Sequence, residues 1–180
     1  SSSTDDDPFT FIDDVTPAPS VEKQVWRILV VDDEPDVHQT TQLALKGVVV
    51  EGRVLEFLHA YSAAEACVCL RENANIAVVL LDVVMESEDA GLRLVRFIRD
   101  ELGNRSIRII LRTGQPGYAP EIDTIRSYDI NDYKSKSELT RVRLFTSLTV
   151  AVRSYSQIHQ LEVTRRGLEL IVAASTELSK

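Results

Sequence analysis

The strongest pattern along the chain is a set of short, unbroken apolar runs, each closed by a polar residue. The clearest is VVLLDVVM at 78–85, in which apolar residues surround a single carboxylate, Asp82. A run this short and branched predicts a strand buried on both faces, the kind found in parallel sheets. Burying a lone carboxylate inside such a strand is costly, but at the strand's C-terminal end it faces the crevice where open α/β sheets bind ligands. Similar runs predict a first strand over 26–31, a second over 54–60, a third over 76–82 and a fourth over 107–111, and a brief fifth strand is expected near 131–133. Helical spacing fills the gaps. Pro35 suits a first helical turn, and Val37, Thr40, Thr41, Ala44 and Leu45 share one side of the helix after it. Ser62 with Glu65 has capping-box spacing ahead of Ala63, Ala66, Cys67 and Leu70. Leu92, Leu94, Val95, Phe97 and Ile98 mark a third helix closing near Gly103, and a short helix is expected around 122–127. Five alternations of strand and helix predict an α/β parallel sheet with helices on both faces, a three-layer sandwich with right-handed crossovers.

The ends of the chain read differently. Residues 1–23 hold Asp5-Asp6-Asp7, Asp13-Asp14 and Pro17-Ala18-Pro19, a composition expected to be disordered, with Phe9, Phe11 and Ile12 as the only docking candidates. From Glu138 onward there is no proline and only Gly167. Leu144, Leu148, Ala151, Tyr155, Ile158 and Leu161 recur at three- and four-residue steps, which predicts a long amphipathic helix. Its first turns can pack on the sheet. The rest extends past it and calls for a partner, for which a coiled-coil mate from a second copy is one solution. The expected organisation is a leader over 1–23, one domain over 24–150, and a helical linker or dimerisation segment over 151–180 leading to an output domain outside this chain.

Composition narrows the function. Of 180 residues, 44% are apolar, close to the globular norm, and no apolar run reaches membrane-spanning length. A net charge of −8 argues against nucleic-acid binding through the bulk surface. Cys67 and Cys69 are two apart on a helix and form neither a redox nor a metal pair, and His38, His59 and His159 share no ligand spacing. The chain therefore reads as cytoplasmic, without a signal peptide.

The chemistry gathers at strand ends. Asp32 and Asp33 follow the first strand, Asp82 ends the third, Thr113 follows the fourth and Lys136 the fifth. In a parallel sheet these ends lie on one edge. Crowded carboxylates raise one another's pKa, and a hard divalent cation with oxygen ligands, Mg²⁺, resolves that conflict.

The segments LVVDDEPDV, VVLLDVVM, IILRTG and NDYKSKS, in this order at these strand ends, resemble the receiver domain of two-component response regulators. The resemblance covers roughly 27–148. It implies a flavodoxin-like, five-stranded parallel sheet and a phosphorelay receiver that is not itself an enzyme. Asp82 would be the phospho-acceptor, fed by a histidine kinase or phosphotransfer protein. Asp33, Asp32, Asp82 and the backbone carbonyl of Val84 would hold Mg²⁺, Thr113 and Lys136 would meet the phosphoryl group, and Tyr133 would be the switch aromatic. The acidic leader with LRTGQPGYAPE, DINDYKSKSELT and RGLELIVAASTELS is similar to receivers that precede a small domain of unknown function and an HD-GYP cyclic-di-GMP phosphodiesterase.

Some positions depart from the family pattern. Glu86 stands where proline is usual after the acceptor, and Ser137 where proline follows the lysine, which puts the usual cis peptide in doubt. Val84 and Gln115 flank the route of attacking water. A Mg²⁺-dependent aspartyl-phosphate phosphohydrolase is an alternative, although the DxDx[TV] pattern is absent. A stand-alone receiver acting by docking and a pseudo-receiver scaffold are others.

Overall fold

The computed structural model describes residues 24–114, 120–138 and 140–178. The expectations for the leader and for Gln115 fall outside those residues. Six strands form one sheet in the order β2-β3-β1-β4-β5-β6, with β1 at Val25–Val31, β2 at Val49–Val50, β3 at Arg53–Ala60, β4 at Ile76–Asp82, β5 at Arg108–Thr113 and β6 at Asp132–Ser135. All pair in parallel except β2, which runs antiparallel to β3. Every residue of β4 is buried, as its uninterrupted apolar text requires.

Six strands replace the expected five because β2 is a two-residue strand, too short to leave a periodic signal. It is joined to β3 by Glu51-Gly52, both at positive φ (48° and 77°), the backbone of a two-residue hairpin whose twist matches its strands. Helices α1 (Pro35–Ala44), α2 (Ala63–Glu72), α3 (Ala90–Arg96), α4 (Ile122–Ser127) and α5 (Arg141–Leu178) complete the chain. The predicted capping box is present in a shifted form. Ser62 Oγ accepts the Glu65 N–H at 3.2 Å, while Glu65 Oε2 reaches back to the N–H of Tyr61 at 2.8 Å.

Alternating strand residues point to opposite faces, so the core divides in two. Leu29, Val31, Val79 and Leu81 join Leu70 of α2, Leu94 of α3 and Ile98 of the turn that follows α3. Ile28, Val30, Val78 and Leu80 join Leu144, Leu148, Val152 and Tyr155 of α5. Beyond Tyr155 the same helix runs on, and Leu161, Leu168, Leu170, Ile171 and Val172 are exposed. One helix therefore crosses the boundary expected at 150–151. Where α5 leaves the sheet, Trp26 donates Nε1–H to Val50 O at 2.8 Å. Arg53 lies over its ring at 4.4 Å, and Tyr155 meets its edge at 6.3 Å. The β2–β3 hairpin thus braces the point at which α5 exits.

Below α3 the chain makes one π-helical turn, Phe97–Glu101, which carries Arg99 inward. Arg99 is fully buried and donates to three carbonyls: Nε to Tyr128 O (2.9 Å), Nη1 to Asn104 O (2.8 Å) and Nη2 to Asp129 O (3.0 Å). A cation against the last carbonyls of α4 also suits the helix dipole. Burial, with Arg108 next, lowers its pKa to about 10, so it keeps its charge at neutral pH.

Candidate functional site

The C-terminal ends of β1, β4 and β5 lie side by side, and the sheet order puts β1 beside β4 and β4 beside β5. Asp32 follows β1 directly, Asp82 closes β4 opposite Arg112, and Thr113 closes β5 opposite Ser135. Asp32, Asp33, Glu34 and Asp82 each bring a carboxylate oxygen within 4.8 Å of the others. Asp32 and Asp82 are buried, while Asp33 and Glu34 are exposed. An all-oxygen, acidic, partly open donor set fits a hard divalent cation such as Mg²⁺.

Lys136 is the hub of this edge. Its Nζ lies 3.0 Å from Asp82 Oδ2, 2.9 Å from Glu34 Oε1 and 3.1 Å from Asp32 Oδ2. The first two are aligned hydrogen bonds, and the third is an ion pair without that alignment. These partners push the lysine's pKa up although burial, the largest influence, opposes them. Lys134 instead pairs with Asp132 at 3.4 Å. The carboxylates are further held by backbone: Asp32 Oδ1 accepts the Glu34 N–H at 3.0 Å, and Asp82 Oδ1 accepts the Val84 N–H at 3.2 Å. Burial raises the Asp82 pKa. Lys136 opposes that rise, and the Asp32 charge adds to it.

The loop after Asp82 is fixed from two sides. A Cβ on Gly91 would sit 2.3 Å from Asp82 O and 2.7 Å from Val83 Cα, so only glycine lets α3 begin this close. Glu86, in place of the usual proline, accepts the Ala63 N–H at 3.1 Å and ties the loop to the start of α2. No cis peptide occurs among the described residues, so Lys136-Ser137 is trans. Thr113 is buried beside this edge. Tyr133 is half-buried on β6 opposite Leu111 and packs against the α2/α3 core.

Several residues at this edge escaped the sequence reading. Glu34 could have been found by its contiguity with Asp32-Asp33. Arg112 could not, because an arginine near a strand end ordinarily reaches solvent. Here it is 2% exposed, with Nη1 donating to Thr41 Oγ1 at 2.9 Å and Nη2 3.8 Å from Asp32 Oδ2. The histidines are also closer than their spacing suggests. His38 Nε2 lies 2.7 Å from Asp32 O, and His38 Nδ1 lies 2.8 Å from His59 Nδ1. A carbonyl only accepts, so Nε2 of His38 donates to Asp32 O, and one of the two Nδ1 atoms donates to the other.

The family model for the domain of unknown function DUF3369 matches residues 148–180, which take in α5 from Leu148, buried on the sheet, to its exposed end. A 3'3'-cGAMP-specific phosphodiesterase 2 of Vibrio cholerae serotype O1 is 45% identical over 156 residues, 87% of this chain and 30% of that protein. The chain thus spans about a third of the length of the curated relative it matches. Among solved structures, the response regulator receiver domain protein of Clostridium thermocellum is 24% identical, with a TM-score of 0.62 over 74% of this chain and 99% of that one. The signal receiver domain of an HD domain-containing protein from Pseudomonas fluorescens Pf-5 is 23% identical, with a TM-score of 0.62 over 80% and 98%.

Proposed function

We propose that this chain, whose fold is that of response-regulator receiver domains, is the phosphoryl-accepting module of a cyclic-dinucleotide phosphodiesterase regulator. The observation that carries the reading is the convergence of Asp82, Asp32, Glu34 and Lys136 within 3.1 Å contacts at one sheet edge. Asp33, Asp32, Asp82 and the Val84 carbonyl would hold Mg²⁺, with Glu34 near enough to join directly or through water. Bound there, the cation would neutralise phosphoryl oxygens, the main requirement of phosphoryl transfer.

The chain's own residues supply the rest. An Asp82 carboxylate oxygen forms the new O–P bond as the P–N bond of a donor phosphohistidine breaks, leaving an acyl phosphate and a free imidazole. Lys136 moves its hydrogen bond from the carboxylate to a phosphoryl oxygen. Thr113 donates its hydroxyl proton's bond to another, and Tyr133 turns toward the space that Thr113 leaves. The face carrying α4, β6 and α5 then changes packing, a population shift between two arrangements. Along α5, exposed Leu161, Leu168 and Ile171 support a homodimer through the C-terminal helix. Residues 24–150 act as the receiver and 151–180 as the transmitting helix.

Acetyl phosphate with Mg²⁺, read by intact mass, tests the acceptor. One phosphoryl group per chain, absent in Asp82→Asn, is expected. Rapid multiple turnover of small phosphate esters would favour a phosphohydrolase, and no labelling would favour a scaffold. In the full-length protein, phosphorylation is expected to change cyclic-dinucleotide hydrolysis, and Asp82→Asn to abolish that response.

A further inference from the structure

Among the charged side chains around the acidic edge, Arg112 has no part in the phosphoryl chemistry just described. It is almost wholly buried, and among the described residues Nε and Nη2 have no hydrogen-bond partner. Asp32 Oδ2, its ionic partner at 3.8 Å, is likewise without one. A guanidinium with unused donors is costly to bury, so a purely packing role would be served better by an apolar residue. Among the described residues its one aligned bond is to Thr41 Oγ1, whose own proton goes to Val37 O at 2.7 Å. That bond anchors the charge to α1. Lys136 differs in kind: it is partly exposed, flexible, and can swing to an incoming phosphoryl group. Arg112 has no comparable freedom, and its field acts on Asp32 in every state of the site. The cleft of about 180 Å³ between α1 and the start of α5 is lined by Arg112, Thr41, Lys136 and Leu144.

We propose that Arg112 is a fixed, buried counter-ion that competes with the divalent cation for Asp32 and thereby sets how tightly the acidic edge binds metal. It is a positioning residue. With the metal site empty it faces Asp32 across 3.8 Å, and when a cation arrives its charge opposes the second positive centre on the same carboxylate. This inference rests on the reading of the acidic edge as a Mg²⁺ site.

The test is Mg²⁺ affinity by calorimetry, paired with the Mg²⁺-induced rise in melting temperature, on the chain and three variants. Arg112→Met, of similar length and without charge, is expected to bind Mg²⁺ about tenfold more tightly, as removal of a unit charge a few ångströms away requires. Arg112→Lys keeps the charge and is expected to stay within about threefold of the parent chain. Thr41→Val cuts the anchor, lets the guanidinium settle on Asp32, and is expected to weaken binding. Unchanged or weaker binding by a folded Arg112→Met overturns the inference while leaving the metal site intact. If that variant does not fold, Thr41→Val decides, and unchanged affinity there overturns it. Tighter binding by Arg112→Lys also overturns it, since shape and not charge would then matter. If neither the parent chain nor Arg112→Met binds Mg²⁺, both the inference and the metal site fail.

Discussion

Three arginines are buried among the described residues, and two of them, Arg99 and Arg112 at opposite ends of the sheet, are treated in opposite ways. Arg99 spends its donors on three backbone carbonyls and ties the end of α3 to the end of α4. Arg112 has one hydrogen bond, to a hydroxyl, and faces a carboxylate it does not quite reach. The first is a knot: its charge strengthens bonds that any correct fold of this loop must make. The second is a source of field, retained although its donors are unfilled. Buried charge of one chemical type thus serves architecture at one pole and the properties of a site at the other. The number of satisfied N–H groups tells them apart.

The largest effect that would break this contrast lies at the knot. Arg99→Met strands the carbonyls of Tyr128, Asp129 and Asn104 and is expected to destabilise the chain by about 3–4 kcal/mol in urea melts, leaving Mg²⁺ affinity unchanged. A loss below about 1 kcal/mol would show that Arg99 is no more structural than Arg112. Arg112→Met is expected to alter stability by less than about 1.5 kcal/mol in either direction, because an apolar replacement of a poorly bonded buried ion is often neutral. A loss as large as that of Arg99→Met would erase the distinction.

Asp82→Asn sharpens the contrast at the acidic pole. Burial holds the Asp82 pKa above its ordinary value, so the ionised form is disfavoured in the fold, and its cost is felt above that pKa and relieved as pH falls through it. In metal-free buffer at neutral pH the asparagine is expected to stabilise the chain by about 1 kcal/mol. Added Mg²⁺ should reverse that order by stabilising only the parent chain. The smallest effect belongs to His59. Burial, with the neighbouring His38 second, lowers its pKa from 6.5, so the fold prefers the neutral ring. Its contribution is present above pH 6.5 and is lost as pH drops toward the lower folded value. His59→Gln should flatten the stability profile between pH 7 and 5, measured by thermal melts.

What the sequence disclosed and what it hid follow one physical division. Asp32, Asp82 and Thr113 stood out as candidates because each stands at the end of an apolar run, and run boundaries survive in one dimension, whereas Lys136 follows the polar strand Asp132–Ser135 and was singled out by the family resemblance. The receiver fold was legible for the same reason. The roles of Arg112, Arg99 and the His38–His59 pair depend on which side chains meet across the sheet or between loops, and nothing in their spacing records that. Strand β2 was hidden by brevity alone, although Glu51-Gly52 carries the turn chemistry that would have flagged it.

The uninterrupted course of α5 has a mechanical consequence. From Tyr155, where the edge-on contact with Trp26 braces it against the sheet, to Leu178 the helix extends about 35 Å at 1.5 Å per residue. A rod of that length turns a tilt of about 5° at its root into a displacement of about 3 Å at its tip, more than half a helical turn. Trp26 and Tyr155 are then a fulcrum, and the stiffness of 23 residues without proline is the gearing between a sub-ångström change at the sheet and whatever rests on the far end.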